Sequence, residues 1–347
     1  MKSTIFLAAI QLIATASATP AWHDWARWIK PSQPAGLEGF GWDNPLGPTT
    51  GGKGGKVFNV KTDAALVAAL ADTRSPKIIY LEGTFRPSAR LRVGSNVSLL
   101  GKGKGANIIG QGITIINATN VIVRNLGIRF VEGNDGITIQ NTTRAWIDHN
   151  EFESQISLEL GPDFYDGQLD IVRASDWITV SHNYFHDHWK SSLIGNSDIL
   201  REVDEGFLHI TYHHNYWRNI GTRGPAGRFG HQHIYNNLYV DFLYQAIHSR
   251  SDNQVLVEGN VFKGNTRTAL TTYGLVIPED SPNTCVCGDE ELDGFANLGA
   301  KNDFGRADVN ITRVGNFKKA PYKYKLTPLK EVEKEVKKNA GLGKVKV

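Results

Sequence analysis

Hydrophobic and polar residues alternate in short runs along the middle of the chain, and each run ends in the same short motif. The motif is an asparagine followed, two positions later, in most copies by an aromatic residue. Its copies IVRNLG, IDHNEF, VSHNYF, YHHNYW, IYNNLY and VEGNVF place asparagines at 125, 150, 183, 215, 237 and 260, at spacings of 25, 33, 32, 22 and 23 residues. Such a repeat predicts a stack of similar structural units.

The alternation predicts an all-β fold, a right-handed single-stranded parallel β-helix whose longer connections form a cleft. Asparagine suits the bends because it tolerates the left-handed conformation and its amide can bond to its own kind. The aromatic residues two positions on should stack in register: Phe152, Phe185, Trp217, Tyr239 and Phe262. A β-sandwich would show hairpin signals between neighbouring runs, and these are not evident here.

The open ends of a β-helix need covers. TDAALVAALAD predicts a short N-terminal capping helix, with Thr62 as N-cap and with Leu66, Val67 and Leu70 on one face. The repeat stops before Cys285, so we expect an irregular segment lying back along the stack, and LKEVEKEVKKN predicts a surface helix. Residues 19–347 are thus interpreted as one domain, with an N-terminal cap over 19–75 and a C-terminal segment and tail over 275–347.

The first 18 residues contain Lys2, an apolar run and a final Ala-Ser-Ala, which predict a signal peptide over 1–18 and a secreted, extracellular protein. No later apolar run is long enough for a membrane helix, so no membrane association is expected. The formal charge of +3 is too small to indicate that the protein binds nucleic acid. The protein is expected to be a monomer. N-x-S/T triplets at Asn96, Asn117, Asn141 and Asn310 suit a glycoprotein. The sequence does not decide whether Cys285 and Cys287 form a disulfide.

Charged residues gather in the connections between the repeats. Asp135, Asp166 and Asp170 fall in consecutive connections, and Lys190 follows in the next one. The segment GTRGPAGRFG then places Arg223 and Arg228 around a proline corner. If successive coils lie about 4.8 Å apart, these residues line one cleft with an acidic end and a basic end. Aspartates on a rigid scaffold favour a hard cation such as Ca²⁺.

The many histidines make zinc conceivable, but paired cysteines and an HExxH helix are missing from the sequence. Structural hydrogen bonding is the better interpretation. WIDH, with Asp148 and His149, is expected to support the site from behind. No GxSxG motif indicates a serine nucleophile.

WIDHNEF, DGQLDI, YFHDHWKSSLIG and RGPAGRFGHQHIYNN together resemble the pectate lyases, secreted polysaccharide lyases of fungi and bacteria. The resemblance runs from about Gly51 to Asn265 in the same motif order. It implies a parallel β-helix that cleaves polygalacturonate, the de-esterified form of pectin, by Ca²⁺-dependent β-elimination to 4,5-unsaturated products.

Carried over residue by residue, the resemblance implies roles for six positions. Asp135, Asp166 and Asp170 would bind calcium, Arg223 would be the catalytic base, and Lys190 and Arg228 would bind substrate. One departure is Gly133, where some members have an acidic residue, and this puts a second calcium ion in doubt. Because a guanidinium normally stays protonated, we expect Lys190, Arg228 and Ca²⁺ to favour the neutral form of Arg223.

Three other functions compete with a pectate lyase. A pectin lyase acting on methylated pectin would replace some of the aspartates, and Asp166 and Asp170 argue against it. A non-catalytic β-helix that binds pectin would not need Lys190, Arg223 and Arg228. A glycosidase would need a close carboxylate pair, which Asp166 and Asp170 could imitate without explaining the arginines.

Overall fold

The computed structural model describes residues 36–280 and 288–347. The predicted signal peptide and both cysteines lie outside these residues. The described chain winds into a parallel β-helix in which each coil contributes one strand to each of three sheets, and each strand pairs with its equivalents one coil before and after. The fold predicted from the sequence is confirmed.

The first sheet holds the alternating runs that precede the asparagine motif. Its strands are Lys56–Val60, the first parts of Lys77–Phe85 and Val97–Ile109, Thr119–Arg124, Thr143–Asp148, Asp176–Ser181, His209–His213, His231–Tyr235, Gln254–Glu258 and Phe295–Leu298.

The second sheet follows the asparagine bend. It contains the ends of the two long strands, then Leu126–Arg129, Glu151–Glu153, Tyr184–Lys190, Tyr216–Thr222, Leu238–Phe242 and Val261–Lys263.

The third sheet completes each coil. Its strands are Leu91–Arg92, Ile113–Ile116, Ile137–Gln140, Leu169–Val172, Leu193–Ile194, Ala226–Arg228, Gln245–Arg250, Thr268–Thr271 and Asp308–Asn310. A separate antiparallel pair, Leu275–Val276 with Asp289–Glu290, lies beyond it in sequence.

Buried asparagines form a continuous ladder at the bend between the first and second sheets. The main-chain N–H and the Nδ2 of each member donate to the Oδ1 of the next at 2.9–3.1 Å, from Asn150 through 183, 215, 237 and 260 to Asn302. The sequence motif missed Asn302, and it placed Asn125 one residue out of register. Asn125 aligns with His149, because its N–H donates to the carbonyl of Asp148.

The left-handed bend falls on the residue before the ladder asparagines at 150, 183, 215, 237 and 260, not on the asparagine itself. His149, His182, His214 and Asn236 have φ values of 51°, 50°, 54° and 51°. The predicted link between asparagine and the left-handed conformation was therefore wrong for the ladder. The ladder residues are selected by their paired donor and acceptor, since each satisfies main-chain groups of neighbouring coils.

The predicted aromatic stack is present inside the helix. The ring centroids of Phe152 and Phe185 are 4.7 Å apart, those of Phe185 and Trp217 are 4.1 Å apart, and Tyr239 lies 4.4 Å from Phe262. All five rings are buried. Parallel stacking follows from the register, which places equivalent side chains one strand spacing apart.

Helix α1 (Asp63–Leu70) covers the first coil, with Thr62 accepting the N–H of Ala65 at 3.3 Å. Leu66 and Leu70 join the main core, whereas Val67 is 52% exposed, so its predicted place on the buried face was wrong. Residues 36–55, assigned to the cap from sequence, cross the outside of the first sheet. There the N–H groups of Phe40 and Gly41 donate to Thr211 and Thr179.

The C-terminal segment adds one more coil before it turns back, so it is less irregular than predicted. Its later part does lie along the β-helix, as expected: Thr327 contacts His214, and the N–H of Gly343 donates to Asn125. Helix α2 (Arg201–Asp204) is a single turn in a connection, and helix α3 (Leu329–Asn339) buries two valines against the second sheet. Among the described helices, none has the length and apolar character to cross a bilayer.

Replacing Asn215 by alanine should destabilise the coil stack without changing the chemistry. The substitution leaves the buried N–H and Nδ2 of Asn183 without their acceptor, at a cost of about 1–3 kcal/mol. We expect a lower melting temperature and an unchanged kcat per folded molecule. The matched control replaces the exposed Asn265 by alanine. Its free energy of unfolding should lie within about 0.5 kcal/mol of that of the parent protein. Lost activity at an unchanged melting temperature would contradict a purely structural ladder.

Candidate active site

A cleft of 570 Å³ opens beside the third sheet, where connections from the second sheet arrive. Five of the six residues implied by the resemblance line it: Asp135, Asp166, Asp170, Lys190 and Arg223. They come from four successive coils, those that contain the strands Ile137–Gln140, Leu169–Val172, Leu193–Ile194 and Ala226–Arg228. The parallel register therefore brings together side chains that are far apart in sequence.

The three aspartates are placed by the third sheet and its connections. Asp135 lies two residues before the strand Ile137–Gln140, and Asp170 lies within Leu169–Val172, directly beside Thr138. Thr138 Oγ1 donates to Asp135 Oδ2 at 2.6 Å, and Gly167 N–H donates to Asp135 Oδ1 at 3.0 Å. These bonds fix the Asp135 carboxylate toward its neighbours.

The electrostatics of these aspartates suit a cation. Burial, followed by the charge of Asp135, raises the pKa of Asp170 well above its ordinary value. Burial likewise raises the pKa of Asp135, and the charge of Asp166 adds to the effect. A divalent cation bound by oxygen ligands relieves this repulsion, so the donor set fits Ca²⁺. The ligand oxygens of the three do not all lie within 4.8 Å of one another.

Lys190 binds the acidic side of the cleft. It ends the strand Tyr184–Lys190, its Nζ lies 3.2 Å from Asp166 Oδ1, and it forms a second ion pair with Asp163. Asp163 was missed from the sequence, although DFYDG places it only three residues before Asp166. The cleft thus carries four carboxylates rather than three.

Arg223 follows the strand Tyr216–Thr222 and has a φ of 66°, in the left-handed region that is uncommon for residues other than glycine. The next peptide bond, Gly224–Pro225, is cis. The Nε of Arg223 donates to Asp280 Oδ1 at 2.9 Å, and Nη2 donates to the main-chain oxygen of Asp280. Nη1 makes no hydrogen bond with any described residue, and Arg223 lines the cleft.

The surroundings of Arg223 favour its charged form. Burial alone lowers the pKa of Arg223, but the charges of Asp280 and Asp170 more than offset this and raise it above the ordinary arginine value. We expected neighbouring cations to favour the neutral guanidinium. The structure instead gives Arg223 a buried carboxylate partner, which the sequence placed 57 residues away.

Arg228 does not line the cleft with the other five residues. Its Nε donates to Glu291 Oε2 at 2.9 Å, its Nη2 donates to Glu291 Oε1 at 2.5 Å, and its Nη1 donates to the Gly195 carbonyl at 2.7 Å. The guanidinium therefore has a bidentate partner already. The proline corner does not aim both arginines at one place.

Asp148 and His149 lie in a separate buried network at the bend between the first and second sheets. Asp148 accepts from Ser181 Oγ at 2.6 Å, lies 2.7 Å from Arg124 Nε, and lies 2.6 Å from His149 Nδ1. Neither residue makes a hydrogen bond, ion pair or ring contact with a described residue of the cleft. Asp148 and His149 therefore do not support the cleft residues through any direct contact with the described residues of the cleft.

His188 lies behind the cleft and contacts two of the segments that form it. His188 Nε2 donates to the carbonyls of Asp166 at 2.6 Å and Lys190 at 3.0 Å, while Ser154 Oγ lies 2.6 Å from Nδ1. Burial lowers the pKa of His188 to about 4, so the ring is neutral. The ring thus ties the loop carrying Asp166 to the strand carrying Lys190. The sequence did not single out His188, because the alternating strand pattern of HDHWK is the same for the neighbouring histidine.

Comparison with known proteins agrees with the geometry of the cleft. The sequence profile of the pectate lyases matches residues 26–345. Probable pectate lyase A of Aspergillus niger is 36% identical over 305 residues, which cover 87% of this chain and 87% of the relative. Probable pectate lyase B of Aspergillus flavus is 39% identical over 260 residues, which cover 74% of this chain and 77% of the relative.

Solved structures give the same result. A pectate lyase from Bacillus sp. N165, crystallised with trigalacturonate, is 30% identical and superposes with a TM-score of 0.73. The match covers 89% of this chain and 99% of that one. A thermostable pectate lyase, at 24% identity and a TM-score of 0.72, shares the fold. The chain therefore belongs to the pectate lyase family and is a polysaccharide lyase.

Proposed function

We propose that the protein cleaves α-1,4-linked polygalacturonate by Ca²⁺-dependent β-elimination and releases 4,5-unsaturated oligogalacturonides. The observation that carries this proposal is the cleft itself, where four carboxylates face Lys190 and Arg223. A polyanionic chain needs cations on the protein at one end. At the other end, acidic residues exclude the polyanion unless a divalent ion lies between them.

Arg223 is proposed as the catalytic base. Its Nη1, the guanidinium nitrogen not bonded to Asp280, would take the proton from C5 of a galacturonate. The electron pair of the C–H bond then forms the C4–C5 double bond, and the glycosidic C4–O bond breaks. The leaving oxygen keeps the electron pair of that bond and takes a proton from water to become the hydroxyl of the new reducing end. Arg223 can accept this proton only when its side chain is neutral, so only the small neutral fraction of the enzyme is active.

Asp135, Asp166 and Asp170 are proposed to hold the calcium ion. When bound, Ca²⁺ would neutralise the substrate carboxylate and stabilise the charge that develops on it as C5 loses its proton. The residues of the chain set up this arrangement. Thr138 and the N–H of Gly167 orient Asp135, and the N–H of Leu193 donates to Asp170 Oδ1 at 3.0 Å.

Lys190 and Arg228 are proposed to bind substrate carboxylates. Lys190 lies within the cleft, so it would exchange Asp163 for the substrate. Arg228 would act through its charge, because Glu291 holds its Nε and Nη2. The two cations therefore differ in how much rearrangement substrate binding requires.

The remaining assignments follow from the same proposal. A substrate found in plant cell walls suits a secreted, extracellular protein with a cleaved signal peptide over 1–18. We propose that residues 19–347 act as a single catalytic domain and a monomer, without nucleic-acid or membrane partners. Asn117, Asn141 and Asn310 are exposed, as glycosylation would require.

Removing calcium should abolish cleavage of polygalacturonate, measured as the near-ultraviolet absorbance of the unsaturated product. Asp170→Asn should raise the calcium concentration for half-maximal activity at least about tenfold. It should not lower the melting temperature, because the ionised carboxylate is disfavoured in its buried position. Asp198→Asn, on an exposed nearby connection, is the control. Cleavage that resists a chelator, or a preference for highly methylated pectin, would contradict the proposal.

Arg223→Lys should lower kcat by about 10² to 10⁴ with a modest change in KM, because lysine keeps the charge but moves the proton acceptor. Arg228→Lys keeps a cation at the second position and should mainly raise KM. Steady-state kinetics on polygalacturonate with saturating calcium separates the two. If both variants keep a near-normal kcat, the base lies elsewhere.

The rate should rise with pH through the neutral and alkaline range. The pKa of Arg223 is raised in the folded protein, so its neutral, active form becomes scarcer as the pH falls. We expect kcat at saturating calcium to fall about tenfold for each pH unit below the half-maximum. A rate independent of pH between about 7 and 10 would be incompatible with an arginine base.

A further inference from the structure

We propose that Asp280 is a positioning residue for Arg223: it holds two of the three guanidinium nitrogens and leaves Nη1 alone to face the cleft. The inference rests on the proposed function of Arg223 as the base. Asp280 lies outside the repeated coils and outside every motif of the family resemblance stated above.

The contacts leave Arg223 little freedom to turn. Asp280 Oδ1 accepts from Arg223 Nε at 2.9 Å, and the main-chain oxygen of Asp280 accepts from Nη2. The same Oδ1 accepts from Thr222 Oγ1 at 2.6 Å, and Oδ2 accepts from Arg250 Nη1 at 2.8 Å. Asp280 is 1% exposed, so all these bonds form away from water. The carboxylate is therefore held on three sides before it orients Arg223.

The segment that carries Asp280 is anchored to the coils next to the cleft. Trp189, the neighbour of Lys190, donates its Nε1–H to the carbonyl of Glu279 at 2.9 Å. The N–H of Asp280 donates to the carbonyl of Ile277 at 2.9 Å, which makes a turn just after the strand Leu275–Val276. Asp280 thus reaches Arg223 from a segment that is attached to the coils through the residues just before it.

Orientation matters here because a guanidinium has several equivalent nitrogens. A base that presents a different nitrogen in each molecule would meet the C5 proton in only a fraction of encounters. Holding Nε and Nη2 removes that choice. The left-handed backbone of Arg223 adds to the restriction, since it fixes the direction in which the side chain leaves the main chain.

Charges face this pair from several elements. Asp170 and Asp166 act on Arg223 from two coils before it, while Arg250 and His248 act on Asp280 from the next strand of the third sheet. Arg228 lies beside Arg250 and is balanced by Glu291. Removing the charge of Asp280 thus changes the balance at Arg223 directly, whereas removing Arg250 changes it in the opposite sense.

The test compares Asp280→Asn, Asp280→Ala and Arg250→Met in the full-length protein. Alanine removes the side-chain acceptor, so kcat should fall at least about tenfold more than for asparagine, with KM changed by less than about threefold for both. Asparagine keeps an acceptor near Nε but loses the charge. The pH of half-maximal kcat should therefore move down by about one unit or more. Arg250→Met should move it up.

Opposite shifts separate positioning from stability, because a merely structural loss would lower the amount of folded enzyme without moving the pH profile. Melting temperatures measured on the same samples give the folded fraction. If the asparagine and alanine variants do not fold, Arg250→Met still decides the matter by the direction of its shift.

The proposal is overturned if asparagine and alanine give the same kcat and the same pH profile as the parent, or if Arg250→Met leaves the profile in place. Failure of the proposed function is distinct from both outcomes. It would show as a near-normal kcat for Arg223→Lys, whatever the Asp280 variants do.

Discussion

The structure depends on parallel main-chain pairing between successive coils, which keeps equivalent residues one strand spacing apart, about 4.8 Å. Every side chain therefore meets its own counterpart from the coils before and after. Asparagines can bond to each other and aromatic rings can stack, so both are favoured by this constraint. The buried ladder from Asn150 to Asn302 and the stack from Phe152 to Phe262 are its direct results. The same constraint is unfavourable for charges.

Like charges on neighbouring coils need partners from elsewhere. Arg228 and Arg250 are paired in register, and burial, followed by the charge of Arg228, lowers the pKa of Arg250 to about 10. The coils offer no carboxylate between them. Asp280 and Glu291, on either side of the undescribed residues 281–287, supply it from outside the repeat. A buried charge that is hydrogen-bonded to its partner is tolerated where an isolated one is not.

The sequence predicted the structural features that recur from coil to coil, and it missed features that do not follow the repeat. The fold class, the aromatic stack and five cleft residues could be derived because register turns sequence periodicity into proximity. Asn302 escaped because its coil has a 42-residue spacing from Asn260. Asp280 escaped because it lies in a segment without periodicity, 57 residues from its partner Arg223. Asp148 and His149 were expected to support the cleft from behind because a strand motif gives the face of a residue but not the corner of the coil on which it lies.

The aspartates that suit the cleft for binding a cation also lower the stability of the folded protein. Burial, and after it the charges of neighbouring carboxylates, raises the pKa of Asp135 and of Asp170, which costs folding free energy near neutral pH. The rigid ladder and the aromatic core can carry that cost because they do not share residues with the cleft. Arg223 stands at the junction: Asp170 attracts it from the acidic end, and Asp280 holds it from the other side. The carboxylate that keeps the arginine charged is thus also the one that holds it in place, so an arginine base here trades basicity at neutral pH for orientation.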